Sequence, residues 1–205
     1  IKYGIAVCTS HRPQMLGDCL FSLQHQQIPD GATIEIVIVE NDSYPRSQEV
    51  ALGSGKSGPF PIHYILEPQR GIPFARNRAL EECVRRGFDR IALIDDDEKA
   101  DPRWLVELAS ALDAFDADVA HGPVRRIYEA PLPSWCKPLK VPHRSSCDEL
   151  DEAPTNNILM SARLINSSSC NLRFDARLAF GNDDIDFCRR SRLCGAKIVW
   201  AADAW

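Results

Sequence analysis

The sequence predicts an α/β protein, a mostly parallel, doubly wound sheet flanked by helices in a single domain. Three observations carry this. Short Ile- and Val-rich runs alternate with stretches whose apolar residues recur at helical spacing. Pro13 and Pro73 stand in the first turn of two such stretches, and Gly87 directly follows the second. The length, 205 residues at 44% hydrophobic and 26% charged, suits one large globular domain.

Lys2 to Cys8 reads as an apolar strand. Pro13 to Gln27 reads as a helix with Met15, Leu16, Cys19, Leu20 and Leu23 on one face. Thr33 to Val39 is a second strand, Gly53 to Pro61 a Gly/Ser/Pro loop, and Ile62 to Leu66 a third strand. Ile72 to Arg86 is a helix, Arg90 to Ile94 a fourth strand, and Pro102 to Phe115 a helix that buries Trp104, Leu105, Leu108 and Leu112. The pattern then changes. Prolines 131, 133, 138, 142 and 154 punctuate Ala130 to Pro154, which is expected to be a long flexible loop. Asn157 to Ser161 is a strand, Asp183 to Cys194 a helix and Lys197 to Ala201 a last strand. No internal repeat is present, and the second half reads as an appendage sharing the core of the first.

Charge and composition exclude several classes. The formal net charge is -5 and the pI about 5.6, without the basic surplus of a general nucleic-acid binder. No apolar run approaches the ~18 residues of a membrane span. The chain opens at Ile1, which is compatible with a trimmed leader or missing flanks. The eight cysteines form no Cys-x-x-Cys pair, and Cys8, Cys19, Cys83 and Cys188 fall in strand or helix patterns, so buried free thiols in a reducing compartment are expected and a zinc site has no supporting spacing.

In an open α/β sheet ligands bind beyond the carboxyl ends of the strands. Three expected strands run there into polar sequence: Thr9-Ser10-His11-Arg12-Pro13, Glu40-Asn41-Asp42-Ser43 and Asp95-Asp96-Asp97. Three adjacent carboxylates repel one another. They are either a solvated turn or a site for a hard cation, for which Mg²⁺ or Mn²⁺ has the right oxygen preference. Gly181 to Phe187 holds a second acidic knot, read either as acids at a helix N-terminus or as a general base among acidic neighbours. Gln69 to Arg78 brings Arg70, Arg76 and Arg78 next to Gly71, either surface arginines or cations for phosphate. There is no Walker loop, no Gly-x-Gly-x-x-Gly and no serine in a nucleophile-elbow setting. His11 lies on the candidate rim; the other four histidines read as ordinary.

Taken in order, Val7 to Pro13, Ile36 to Ser43, Gly71 to Asn77, Leu93 to Asp97 and Gly181 to Phe187 resemble the motif series of family 2 glycosyltransferases, over nearly the whole chain. The resemblance implies a GT-A-like, Rossmann-like fold. Residues 1–115 would bind a nucleotide-diphospho-sugar, and 116–205, with the loop 130–154, would serve the acceptor. It implies an inverting transfer that uses Mn²⁺ or Mg²⁺. Thr9, His11, Arg12, Glu40 and Asn41 would face the nucleotide base or ribose. Asp95 and Asp96 would lie at the donor, Asp95 toward ribose or sugar, with Asp97 on the metal and Arg76 by the sugar-diphosphate pocket. Asp184 would be the base, with Asp183 beside it. Leu172 to Asp175 resembles the segment before that base.

The chain departs from the family pattern in ending its second strand with Glu40-Asn41 rather than two aspartates, and in placing Asn182-Asp183 where glycine-glutamate is usual, which shifts the base by one position if Asp183 serves instead. A UDP-sugar donor, a saccharide or lipid-linked acceptor and a cytoplasmic setting, at most peripheral to the inner membrane face, are expected. The competing readings are a nucleotidyltransferase, which would more naturally carry a Gly-rich basic loop after strand one, and a binding module without catalysis. Residues 130–154, which include Trp135, Leu139, Val141 and the pair His143-Arg144, are expected to form a lid over the donor.

Overall fold

The computed structural model describes residues 1–128, 130–141, 144–166 and 168–205. The strands are β1 (Lys2–Thr9), β2 (Thr33–Glu40), β3 (Ile62–Leu66), β4 (Arg90–Asp95), β5 (Val119–His121), β6 (Asn157–Ser161) and β7 (Ile198–Trp200). Among the described residues they form one sheet in the order β3-β2-β1-β4-β6-β5-β7. β1, β2, β3 and β4 run parallel, as do β5 and β7, and only β6 runs against its neighbours. The helices are α1 (Pro13–Gln24), α2 (Gln48–Ser57), α3 (Ile72–Arg86), α4 (Trp104–Phe115) and α5 (Asp183–Leu193).

Side-chain alternation along each strand assigns the two faces. Ile5 and Val7 of β1 point to one side, where Leu16, Leu20 and Leu23 of α1 and Trp104, Leu105 and Leu108 of α4 cover them. Ala6 points to the other side, under Ala75, Ala79, Leu80 and Cys83 of α3 and Phe187 and Cys188 of α5. Gly87 closes α3 in the left-handed region (φ 66°), and the Phe88 amide returns to the Cys83 carbonyl at 3.2 Å.

Four expectations change. The loop expected from Gly53 overlaps α2, whose two internal glycines are poor helix formers. Tertiary contact overrides propensity there: a Cβ on Gly55 would sit 3.1 Å from Ile62 Cβ, so glycine permits the close packing on β3. α1 stops at Gln24, because the next residues serve α4: Gln26 Nε2 donates to the Asp101 carbonyl (2.8 Å) and Gln26 Oε1 accepts from the Leu105 amide (3.1 Å). β5 is too short for its periodicity to register. Cys19, Cys83 and Cys188 are buried free thiols as expected, whereas Cys147 and Cys194 are exposed.

Among the described residues, the segment expected as a loop from Ala130 is irregular, but its second half is docked. The Cys147 amide donates to Trp200 O (3.1 Å), Trp200 N to Asp148 O (2.9 Å) and Leu150 N to Ile198 O (2.9 Å). Trp135 and Leu139 are exposed, and His143 lies outside the described residues.

His121 ends β5 in a buried position, with Nδ1 2.9 Å from the Asn157 carbonyl. Burial, aided by the charge of Arg144 and opposed by that hydrogen bond, lowers its pKa to about 4. The fold therefore keeps the ring neutral while the unfolded chain protonates near 6.5. Stability present above pH 6.5 is lost as pH falls toward 4, by about 3 kcal/mol at most. Replacing His121 by glutamine is expected to flatten urea midpoints between pH 6.5 and 4; an unchanged pH slope rules the group out.

Candidate active site

The carboxyl ends of β1, β2 and β4 and the start of α5 meet at one rim. Thr9, the last residue of β1, donates its hydroxyl to Asp96 Oδ2 at 2.6 Å. Asp96 is fully buried, which pushes its carboxyl up against the opposing effects of Thr9 and Arg12. Arg12 spans the acidic turn: Nη2 lies 2.6 Å from Asp96 Oδ1 and Nη1 2.9 Å from Asp97 Oδ2. The first contact compensates charge without hydrogen-bond alignment, so Asp96 Oδ1 has no donor. His11 has a left-handed backbone (φ 57°) and sets Nε2 3.2 Å from Asp42 Oδ2, which also accepts from Arg46 Nε at 2.9 Å. Burial would raise the pKa of Asp42, but Arg46, the Ser43 amide and His11 together hold it low.

The side chains at the end of β2 are occupied within the protein. Glu40 is fully buried, accepts from the Ser47 amide (2.9 Å) and hydroxyl (2.9 Å) and from the Tyr64 hydroxyl, and so anchors the start of α2. It does not face the rim where it was expected. Asn41 donates to the carbonyls of Glu67 (3.0 Å) and Gln69 (2.7 Å) and accepts from the Gly71 amide (2.8 Å), tying β2 to the turn before α3. The polar group that does meet His11 is Asp42. An acid two residues past a strand end was its only sequence signal, and that signal is common.

The three arginines of the Gln69–Arg78 cluster separate. Arg70 is exposed, and Arg78 pairs with Glu81 at 3.4 Å on the surface. Arg76 alone turns inward, its Nη1 2.6 Å from Asp183 Oδ2, with side chains 13% and 5% exposed. Its guanidinium lies 5.3 Å from the centre of the Phe174 ring, which stacks on Phe187 at 4.5 Å. Asn77 locks that segment, bonding the Phe174 carbonyl (2.8 Å) and amide (2.7 Å).

Asp183 and Asp184 thus have different surroundings. Gly181 (φ 129°) and Asn182 (φ 63°) turn the chain into α5, with Asn182 in the left-handed region that glycine usually fills. Asp183 is neutralised by Arg76. Asp184 accepts from the Ile185 amide at 2.8 Å, and among the described residues no cation pairs with it. Asp186 is spent on Arg190 at 2.6 Å and stands apart. Burial raises the pKa of Asp95; Arg76 opposes this, while Asp97 and Asp184 add to it, so the acidic turn and the start of α5 share one field.

Two residues outside the expected set complete the corner. Burial and the neighbouring Asp95 push Glu98 up to about 8, and Asn156 Nδ2 donates to Glu98 Oε1 at 2.8 Å. Among the described residues no three His, Cys, Asp or Glu side chains are arranged around a common metal position. Half-exposed Asp97 offers one hard oxygen ligand. That donor set fits Mg²⁺ or Mn²⁺ completing its shell with diphosphate and water, and does not fit a cage of protein ligands alone.

The mostly parallel sheet with acids converging at its carboxyl rim is a GT-A-like build, and the family model for glycosyl transferase family 2 matches residues 4–165. The chain belongs to that family. It is 30% identical to the succinoglycan biosynthesis protein ExoM of Rhizobium meliloti (strain 1021) over 210 residues, covering 100% of this chain and 66% of that protein. The fold is shared with S. aureus TarS: at 16% identity, residues 1–349 of TarS in complex with UDP give a TM-score of 0.74, covering 99% of this chain and 58% of that one. The UDP-GlcNAc complex of the same protein gives 0.72, covering 99% and 56%. No helix among the described residues is long and apolar enough to cross a membrane.

Proposed function

We propose that this domain transfers a sugar from a UDP-sugar to a hydroxyl of a saccharide or lipid-linked acceptor, with inversion at the anomeric carbon. The carrying observation is the contrast between two adjacent aspartates: Asp183 is locked to Arg76 while Asp184, within the field of Asp95, keeps an uncommitted oxygen. That oxygen takes the proton of the acceptor hydroxyl as the acceptor attacks the anomeric carbon. The bond to the diphosphate breaks on the opposite face, and a single displacement inverts the centre. Thr9 and Arg12 hold Asp96 and Asp97 in place, and Arg12 adds positive charge beside the departing diphosphate. His11 and Asp42 stand at the nucleotide end. Asp97 would hold Mn²⁺ or Mg²⁺, which when bound supplies Lewis-acid stabilisation of the leaving diphosphate. The UDP preference draws on the TarS complexes, and a cytoplasmic setting on the free cysteines.

The test is turnover of UDP-sugars to UDP in Mn²⁺, with and without saccharide acceptors. Binding without any turnover would leave only a binding module. Asp97→Asn is expected to lose most of the gain in UDP affinity that Mn²⁺ gives, read by calorimetry with and without the metal. Equal enhancement in wild type and variant removes Asp97 as a ligand.

Within residues 130–154, the stretch ahead of the part docked on β7 is the lid of this proposal. It orders over the donor and limits hydrolysis by water. Trypsin cleavage at Lys140 and Arg144 is expected to slow when UDP and Mn²⁺ are bound. An unchanged rate under saturating ligand sinks the lid.

A further inference from the structure

Among the described residues, the buried side-chain polar atoms without a hydrogen-bond partner are Asp96 Oδ1, Thr155 Oγ1 and Asn156 Oδ1. All three belong to the place where β4 ends and β6 begins. Orphaned buried groups are rare in folded proteins, and each calls for a missing partner. Asp96 Oδ1 at least has the charge of Arg12 beside it. Thr155, 2% exposed, and Asn156 have no such compensation for these atoms.

Register and one hydrogen bond locate Asn156. β6 pairs antiparallel with β4, Ile94 facing Asn157, so Asn156 comes level with the acidic turn that begins at Asp95. Ile158 packs into the core under α3 and α5, and Asn156 lies in the turn that leads into that strand, its amide held on Glu98. Asp95 follows Leu93 onto the same face, where Arg76, Asp183 and Asp184 also lie. The amide is held in one orientation, because its Nδ2 is committed to Glu98 Oε1 at 2.8 Å. Its Oδ1 is therefore a fixed, buried acceptor beside the carboxyl end of β4, and among the described residues no donor reaches it.

The rim has an order along the sheet. His11 and Asp42 sit at the β1–β2 end, and Arg12, Asp96 and Asp97 at the β1–β4 junction. Asp95, Asn156 and Asp184 sit where β4, β6 and α5 meet. A nucleotide-sugar laid along this rim with its diphosphate at Arg12 and Asp97 brings its sugar to the third station. On the footing of the glycosyl-transfer reading, we propose that Asn156 is a specificity-determining residue whose Oδ1 accepts a hydrogen bond from a hydroxyl of the transferred sugar, with Glu98 holding the amide in place. A buried acceptor of this kind favours the stereoisomer that presents the hydroxyl and rejects those that leave the oxygen unpaired.

Calorimetry decides this with UDP alone and with UDP-glucose, UDP-galactose, UDP-GlcNAc and UDP-GalNAc, each in Mn²⁺, on the wild type and on Asn156→Ala. The milder Asn156→Ser is the second variant should alanine unfold the chain, and a thermal melt accompanies each. The wild type is expected to prefer one sugar nucleotide. The variants are expected to bind UDP within about twofold of wild type, lose tenfold to a hundredfold on the preferred sugar nucleotide, and bind the four donors nearly alike. A variant that binds UDP and keeps the wild-type ranking overturns the assignment, as does equal loss for UDP and every UDP-sugar, the mark of a purely structural residue. A wild type that binds no uridine nucleotide defeats the donor reading itself, and a wild type that binds UDP without discriminating among the sugars defeats only the role of Asn156.

Discussion

Asp184→Asn is expected to cut glycosyl transfer by ~10²–10⁴ while leaving UDP affinity and the melting temperature near wild type. Asparagine keeps the shape of the side chain and its bond from the Ile185 amide, and it cannot take a proton from the acceptor. No ion pair is lost among the described residues, so the fold has little reason to respond. Asp183→Asn makes the opposite forecast. It removes the carboxylate that neutralises partly buried Arg76 and is expected to lower stability before it touches chemistry. The pair of variants is best read by single-turnover rate beside thermal melts. An active Asp184→Asn with an inactive but stable Asp183→Asn would move the base one position back.

Arg76→Met is expected to be the most damaging single change to stability. Asp183, with its side chain 5% exposed, would be left as an uncompensated buried charge, for which the loss is about 3–5 kcal/mol. The stacked contact of the guanidinium on Phe174 goes as well. For a domain of this size the melting temperature should fall on the order of 10 °C. The double variant Arg76→Met/Asp183→Leu should recover much of the loss, because no lone charge remains buried. A double variant as unstable as the sum of its parts would show that the pair does not act as a unit.

Much of this arrangement is legible in the sequence, for stated reasons. The parallel strands announce themselves by Ile and Val runs that are buried on both faces. α3 is bounded by Gly71, Pro73 and Gly87, all with backbone roles that the structure bears out. What escapes is what depends on tertiary packing. α2 contains two glycines, and no local signal says that β3 needs one of them. Glu40 and Asn41 look like rim residues because they end a strand, yet the chain turns both inward to hold the start of α2 and the turn at Gly71. Arg76 and Arg78 are equal candidates in the sequence, and only helix phase sends the first to Asp183 and the second to solvent. Asn156 carries no motif at all. Its place follows from the antiparallel register of a strand whose direction the sequence does not declare.

That reversed strand has a consequence for how such a domain diversifies. Because β6 runs against β5, the chain leaves the sheet at His121 and re-enters it at the neighbouring position: His121 pairs with Ile158, and the Gly122 amide donates to the Asn157 carbonyl at 3.0 Å. The excursion between them has its two feet bonded together; from Cys147 on it is docked on β7, with Leu150 and Ala153 in the core, and ahead of Cys147 the described residues are irregular. Inserting or deleting residues there leaves the strand order untouched, and doubling the length of a flexible loop costs only about 0.6 kcal/mol of closure entropy. The same scaffold can therefore exchange the part ahead of the docked residues without relearning how to fold.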